Sequence, residues 1–341
     1  MTGKNQGAVP DLDGDPFAEH GRLLSRPAMQ LLGGRFRFRS NSEQLLQLVD
    51  EAYAGLPKHR FATPAHEFQV TLRLVASAKS GGRSRPPALS MMSGTDLLAG
   101  GGSGANFAVL SPPRRSALVC VTRDMLQFPY HTRYELIEFA VFTLASRAQR
   151  LVPLHAACVG VNGRGVLLMG ASGAGKSTMA LQCLLERFQF LAEDSVFVSP
   201  RDLLATGTAN FLHVRTDSVG WLGASRYAGI IRRSPVIQRR SGVRKFEVDL
   251  RHAEFRLAPR PLELRAVVFL SEQSASGAPL LRKLPKLETL ARLRAEQAYG
   301  TSLPQWAPFQ KRLVSRGGYE LRRGAHPADG VAALRRLLSQ Q

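Results

Sequence analysis

Gly170, Gly173, Gly175, Lys176 and Ser177 stand close together in the stretch LLMGASGAGKSTMAL. Counted from its first glycine, this is Gly-x-x-x-x-Gly-Lys-Ser, a pattern suited to holding phosphate. Glycines let backbone N–H groups turn inward without a Cβ clash, and a lysine of this kind reaches the β/γ oxygens. The Ser177 hydroxyl suits Mg2+, and the helix it opens offers a positive N-terminal dipole. Residues Gly170, Ala171, Ser172, Gly173, Ala174, Gly175, Lys176, Ser177 and Thr178 are therefore assigned to a nucleoside triphosphate, with ATP and Mg2+ as the expected pair.

A second chemical signal follows in FQFLAEDSVFV, an apolar strand interrupted by Glu193 and Asp194. Carboxylates in an apolar strand are costly unless paired or bound to a cation, and a phosphate-transferring site needs such an acid near its metal. Glu193 is assigned with Ser177 to the metal. The densest basic run, Arg232, Arg233, Arg239, Arg240, Arg244 and Lys245, holds no acid and reads as a loop contacting nucleotide or an acidic substrate.

The elements around these residues are legible in outline. An apolar strand, Val166 to Met169, precedes the glycine loop, and a helix from Met179 to Arg187 follows it. PLHAACVGVNGRGVLLMG reads as two strands turning at Asn162-Gly163. Upstream, RFRFR and EFQVTLRLVA alternate with period two, as strands with one buried face, and SNSEQLLQLVDEAY reads as a helix capped near Ser40 or Ser42. ALVCVT reads as a strand, and Arg133 to Arg150 as one apolar-rich helix. SGGRSRPP and AGGGSG read as mobile loops.

The 341 residues thus divide into a polar segment over 1–25, expected to be disordered, a small α+β domain over 26–115, and an α/β domain over 116–341 with a mixed sheet and flanking helices. Hydrophobic residues make up 44%, ample for a core, and no apolar run approaches a membrane span. Cys120, Cys158 and Cys183 sit in apolar patterns without metal-like spacing and read as buried thiols of a reducing cytoplasm. The net charge of +20 attracts phosphates, acidic proteins and nucleic acid alike. Nucleic acid is disfavoured, because the basic run lacks interleaved aromatics.

From LHAACV through LAEDSVFV the chain resembles the catalytic core of the HPr kinase/phosphorylase family and its relatives. A histidine, His155, stands 21 residues before Lys176, and Asp194 stands 18 after it, as in that family. The resemblance implies a P-loop kinase domain of HPr-kinase type that moves the ATP γ-phosphoryl group onto a serine-type hydroxyl, with Asp194 as proton acceptor. It also implies that His155 orients phosphate or acid, that Arg244 contacts phosphate, and that the chain forms a homo-oligomer, a hexamer. The chain departs from the family pattern in having Glu193 where an aspartate is usual. It also lacks the glycine-rich segment that supplies a second metal-ligating glutamate; Asp217 is the candidate substitute. The resemblance names no acceptor: an acidic carrier protein, a peptide and a small hydroxylated metabolite all fit. A nucleotide-binding regulatory ATPase without an acceptor, and a nucleic-acid-associated ATPase, are the alternative classes. His213 and His252 receive no role.

Overall fold

The computed structural model describes residues 23–61, 65–76, 85–93, 97–102, 106–171, 173–216, 226–251 and 255–340. Ser172, Asp217, His252, residues 1–22 and parts of both glycine-rich loops lie outside the described residues.

The first sheet has eight strands. Gly34–Ser40, Glu67–Val75 and Ser116–Thr122 run parallel at its centre. Their alternation sorts the residues: Phe36, Phe38, Phe68, Val70 and Leu72 are buried, with the Phe36 and Phe68 rings stacked 4.5 Å apart. Helix Glu43–Tyr53 crosses between the first two strands and buries Leu45, Leu46, Val49 and Ala52. Ser42 is the N-cap residue, but its hydroxyl makes no capping hydrogen bond, so the expected side-chain cap is not formed; the Ser42 N–H donates instead to Ser40 Oγ at 3.0 Å.

This first unit does not end at residue 115. Ser116–Thr122 pairs with Glu67–Val75, and Leu136, Ile137, Val141 and Leu144 join the same core. An apolar strand such as ALVCVT carries no mark of which sheet it will enter. Nor is 133–150 one α-helix. Pro129–His131 leads into a π-helical stretch, Thr132–Glu138, and only then into the α-helix Phe139–Ala148. π-Helical turns are rare and concentrate at functional sites, and this one carries Arg133, Tyr134, Glu135 and Glu138.

The second sheet has nine strands and is mixed. Ala157–Val161 and Arg164–Met169 form the hairpin, whose turn residues Asn162 and Gly163 both have positive φ, 52° and 80°, as a two-residue primed turn requires. Arg164–Met169 pairs parallel with Leu262–Ser274, which pairs parallel with Gly318–Arg323. Successive residues serve opposite cores. Val166 and Leu168 pack with helices Lys176–Leu185 and Pro327–Gln340, whereas Leu167 and Met169 pack with Lys286–Glu296 and Trp306–Arg316. Burial on both faces is why the strand before the glycine loop is an unbroken apolar run.

A third, three-stranded sheet, Phe211–Arg215, Arg244–Asp249 and Val236–Gln238, lies against the helix that follows the glycine loop. Among the described residues no helix is long and apolar enough to cross a membrane. All three cysteines are free and buried.

Candidate active site

Strand Arg164–Met169 runs into Gly170, and helix Lys176–Leu185 begins six residues beyond that glycine, with Met179 N–H donating to Gly175 O at 2.8 Å. Gly173 and Gly175 have φ of 91° and 99°, a region that excludes most side chains, and a Cβ at either would meet nothing within 4 Å. The backbone there opens onto free space, a cradle of the shape a phosphate chain fills. The Lys176 ammonium is buried and folded back, donating to Gly170 O at 2.6 Å and Ala171 O at 3.3 Å.

A cavity of about 560 Å3 brings the loop residues Gly173, Gly175, Lys176, Ser177 and Thr178 together with His155, Glu193 and Asp194. The acids follow the last residue of strand Gln189–Ala192 and precede strand Ser195–Val198, so they occupy a break rather than a strand. Freed from strict alternation, both reach the cavity, but each has its own partners.

Asp194 Oδ1 lies 2.9 Å from His155 Nδ1, and its Oδ2 lies 3.8 Å from an Arg239 nitrogen. Burial raises its pKa, but the His155 hydrogen bond and charge, with Arg239 and Lys245, outweigh burial and hold it at about 2. His155 ends the edge strand Val152–His155, and Gln297 fixes it there: the His155 N–H donates to Gln297 Oε1 at 2.9 Å, and Gln297 Nε2 donates to His155 O at 3.0 Å.

Glu193 turns inward and is buried. Its Oε2 accepts from the His213 N–H at 2.8 Å and from His213 Nδ1 at 3.1 Å. The Ser177 hydroxyl also favours its charged form. His213 Nε2 faces Glu247 Oε1 at 3.3 Å, Glu247 pairs with Arg133, and Arg133 lies 3.5 Å from Glu138. Asn210 closes the chain, donating to Glu138 Oε1 at 3.3 Å and to Ala52 O at 3.1 Å. Burial pushes Glu138 up to about 7 against the opposing charges of Arg133 and His213. A continuous buried network therefore runs from Glu193, beside the glycine loop, to the first unit.

Two carboxylates face His213 and favour its charged form. Burial lowers its pKa, but the hydrogen bonds to Glu193 and Glu247 outweigh burial and raise it above 6.5. Such a group contributes stability fully below its unfolded value and loses that contribution as pH rises through the folded value. For Glu193 and Glu247, burial pushes upward, but the bonds to His213 leave both below 4.5, so their share is lost as pH falls. The Tm deficit of His213→Gln is therefore expected to be largest near about pH 6 and to shrink towards about pH 9. A deficit unchanged across that range would mean that His213 contributes packing alone.

The basic run divides into separate jobs. Arg239 lines the cavity, with its guanidinium 5.5 Å from the Tyr134 ring centre. Arg240 turns the other way and forks onto Glu135, with two bonds of 2.6 Å, while donating to Pro87 O at 2.6 Å. Lys245 lines the cavity, whereas Arg244, its neighbour on an alternating strand, is exposed and does not. The arginine brought to the acids is Arg239 and not Arg244. Arg240 bolts the turn that carries Arg239 to the first unit. Glu135→Gln is expected to lower turnover about ten- to a hundredfold through misplacement of Arg239, with nucleotide affinity unchanged. In an Arg239→Ala background it should cost nothing further; equal losses in both backgrounds would reduce the contact to general stability.

His213, Glu247, Arg133, Tyr134, Arg215 and Gln297 are missed by sequence reasoning. His213 and Glu247 are register partners on neighbouring strands. FLHVR and RKFEVD each alternate, and that alternation was the one available signal: Leu212, Val214 and Val248 enter the core, so His213, Lys245 and Glu247 share the other face.

Neither a family model nor a curated protein sequence matches the chain. Among solved structures it is similar to the Hpr(Ser) kinase/phosphatase from Coxiella burnetii, at 13% identity and a TM-score of 0.26, over 55% of this chain and 88% of that one.

Proposed function

We propose that the chain is an ATP-dependent kinase that transfers the γ-phosphoryl group to a serine-type hydroxyl. One observation carries this reading: a single cavity sets the glycine loop, Lys176 and Ser177 against a carboxylate, Asp194, whose Oδ1 lies 2.9 Å from His155 Nδ1.

The residues fit Mg2+. The Ser177 hydroxyl and the Glu193 carboxylate, which line the same cavity, are hard oxygen donors of the kind that hold this ion. Bound there, Mg2+ offsets charge on the β- and γ-phosphate oxygens. His213 holds one oxygen of Glu193 and so fixes the carboxylate's orientation. The loop N–H groups bind phosphate oxygens, and Lys176 exchanges the Gly170 and Ala171 carbonyls for them.

Asp194 receives the acceptor. Its oxygen takes the hydroxyl proton as the acceptor oxygen bonds to phosphorus and the bridging oxygen leaves with ADP. A carboxylate held at about 2 is a weak base, which suits a loose transition state in which the proton moves late. His155 keeps Asp194 ionised and aimed, and Arg239 faces the negative charge of the transferring group. Positioning and electrostatics carry the rate.

A regulatory ATPase is the second reading, favoured by the bond between the Arg240 turn and the first unit, which ties the site to that unit's conformation. ATP labelled at its γ-phosphorus separates the two. A kinase puts label on hydroxyl acceptors faster than it releases inorganic phosphate. Release to water at the same rate, whatever acceptor is supplied, favours the regulator.

A further inference from the structure

His155 is the last residue of strand Val152–His155, and that strand is an edge of the nine-stranded sheet. Strand Ser195–Val198 pairs with it on one side, and no strand among the described residues pairs on the other. Pro153 stands two residues before His155, so its backbone faces the same outer side, and it has no N–H to offer a further strand. Side chains take the outward backbone groups instead. Gln305 Nε2 donates to Leu151 O at 3.0 Å. The Gln297 amide accepts from the His155 N–H at 2.9 Å and donates to His155 O at 3.0 Å.

Gln297 is buried at the C-terminal end of helix Lys286–Glu296. Its amide supplies a donor and an acceptor without a charge, which neither a carboxylate nor an ammonium does. It therefore takes the place of a neighbouring strand at the residue whose ring meets Asp194. That ring needs a hold. The His155 side chain is 61% exposed, so packing does not fix it, and residues at the end of an element fray when their backbone bonds are free. Gln297 Nε2 also lies 3.9 Å from Met169 Sδ, and Met169 is the residue that leads into Gly170. One side chain thus sets the histidine and the entry to the glycine loop in a common frame.

We propose that Gln297 is a positioning residue for phosphoryl transfer: its amide holds the His155 backbone so that the imidazole stays on Asp194 and the carboxylate stays aimed at the acceptor hydroxyl. This rests on the kinase reading and goes beyond it, because Gln297 does not line the cavity and acts through His155.

Gln297→Met is the test. Methionine nearly keeps the side chain's size and its packing on Met169 but makes neither bond to His155. Turnover should fall about tenfold or more, with the affinity for AMP-PNP kept within about twofold. In a His155→Ala background the same change should alter turnover by less than about twofold, because the two residues act as one unit. A second readout needs no activity. In proton–nitrogen spectra of histidine-labelled full-length chain, the His155 ring signals, assigned by their loss in His155→Ala, should move in Gln297→Met towards their positions in Asp194→Asn. If Gln297→Met does not fold, Gln297→Glu, which keeps the acceptor and loses the donor, is read in the same two ways. Unchanged His155 signals in a folded variant overturn the proposal, and so does an equal loss of turnover with and without His155, since Gln297 then acts through the fold alone. A wild-type chain that labels no acceptor removes the kinase reading instead, and the spectra alone then decide whether Gln297 holds the His155–Asp194 pair.

Discussion

Asp194→Asn is expected to lower turnover by about 10²- to 10⁴-fold while leaving nucleotide binding largely intact, the usual scale for loss of a general base. Asparagine keeps the side chain's size and an acceptor for His155, but it has no anionic oxygen to take the hydroxyl proton. It also leaves the Arg239 guanidinium, 3.8 Å away, without its charge partner. The neighbouring acid should behave differently. Glu193 is held by His213 and lines the cavity with Ser177, so Glu193→Gln is expected to raise the Mg2+ concentration needed for half-maximal activity more than it lowers the rate at saturating Mg2+. Steady-state rates across a Mg2+ series distinguish the two. Near-full activity in Asp194→Asn, with Glu193→Gln dead at saturating Mg2+, would exchange the two roles.

Lys176→Ala is expected to abolish phosphoryl transfer and to weaken ATP binding. In this structure the ammonium rests on the Gly170 and Ala171 carbonyls, contacts a ligand replaces, so truncation removes the cation from the phosphate without removing a core contact. The helix keeps its Gly175 cap and its buried face of Ala180, Leu181, Cys183 and Leu184. The variant should therefore fold, with a circular dichroism spectrum like the wild type's. Unchanged turnover in a folded Lys176→Ala protein would remove the phosphate reading of the loop.

What was legible in the sequence is what local chemistry dictates. Asn162-Gly163 can adopt two successive positive φ values cheaply, so the hairpin is written in two residues. The strand before the glycine loop is an apolar run from Val166 to Met169 because it is buried on both sides there, and the acids that follow the helix stand out against such a background. His155 and Asp194, paired by resemblance alone, lie 2.9 Å apart.

The rest depends on register and packing between distant segments. His213 pairs with Glu247 across 34 residues, and Arg133 reaches Glu247 across 114; neither separation leaves a local trace. Arg244 is exposed and Lys245 faces the cavity because a strand alternates, and one residue of register decides which is which. The boundary expected at 115 fell inside a sheet, because a short apolar strand fits either of two parallel neighbours. The π-helical stretch is invisible to a period-3.6 pattern, yet Arg133, Tyr134, Glu135 and Glu138 depend on it to reach the second unit.

Calorimetric titration of the wild-type chain with AMP-PNP, with and without Mg2+, is the decisive measurement. The kinase reading predicts one nucleotide per chain, with affinity falling about tenfold or more when Mg2+ is withheld and binding lost in Lys176→Ala. No binding of AMP-PNP at millimolar concentration with Mg2+ present, or binding that Lys176→Ala leaves untouched, would contradict it.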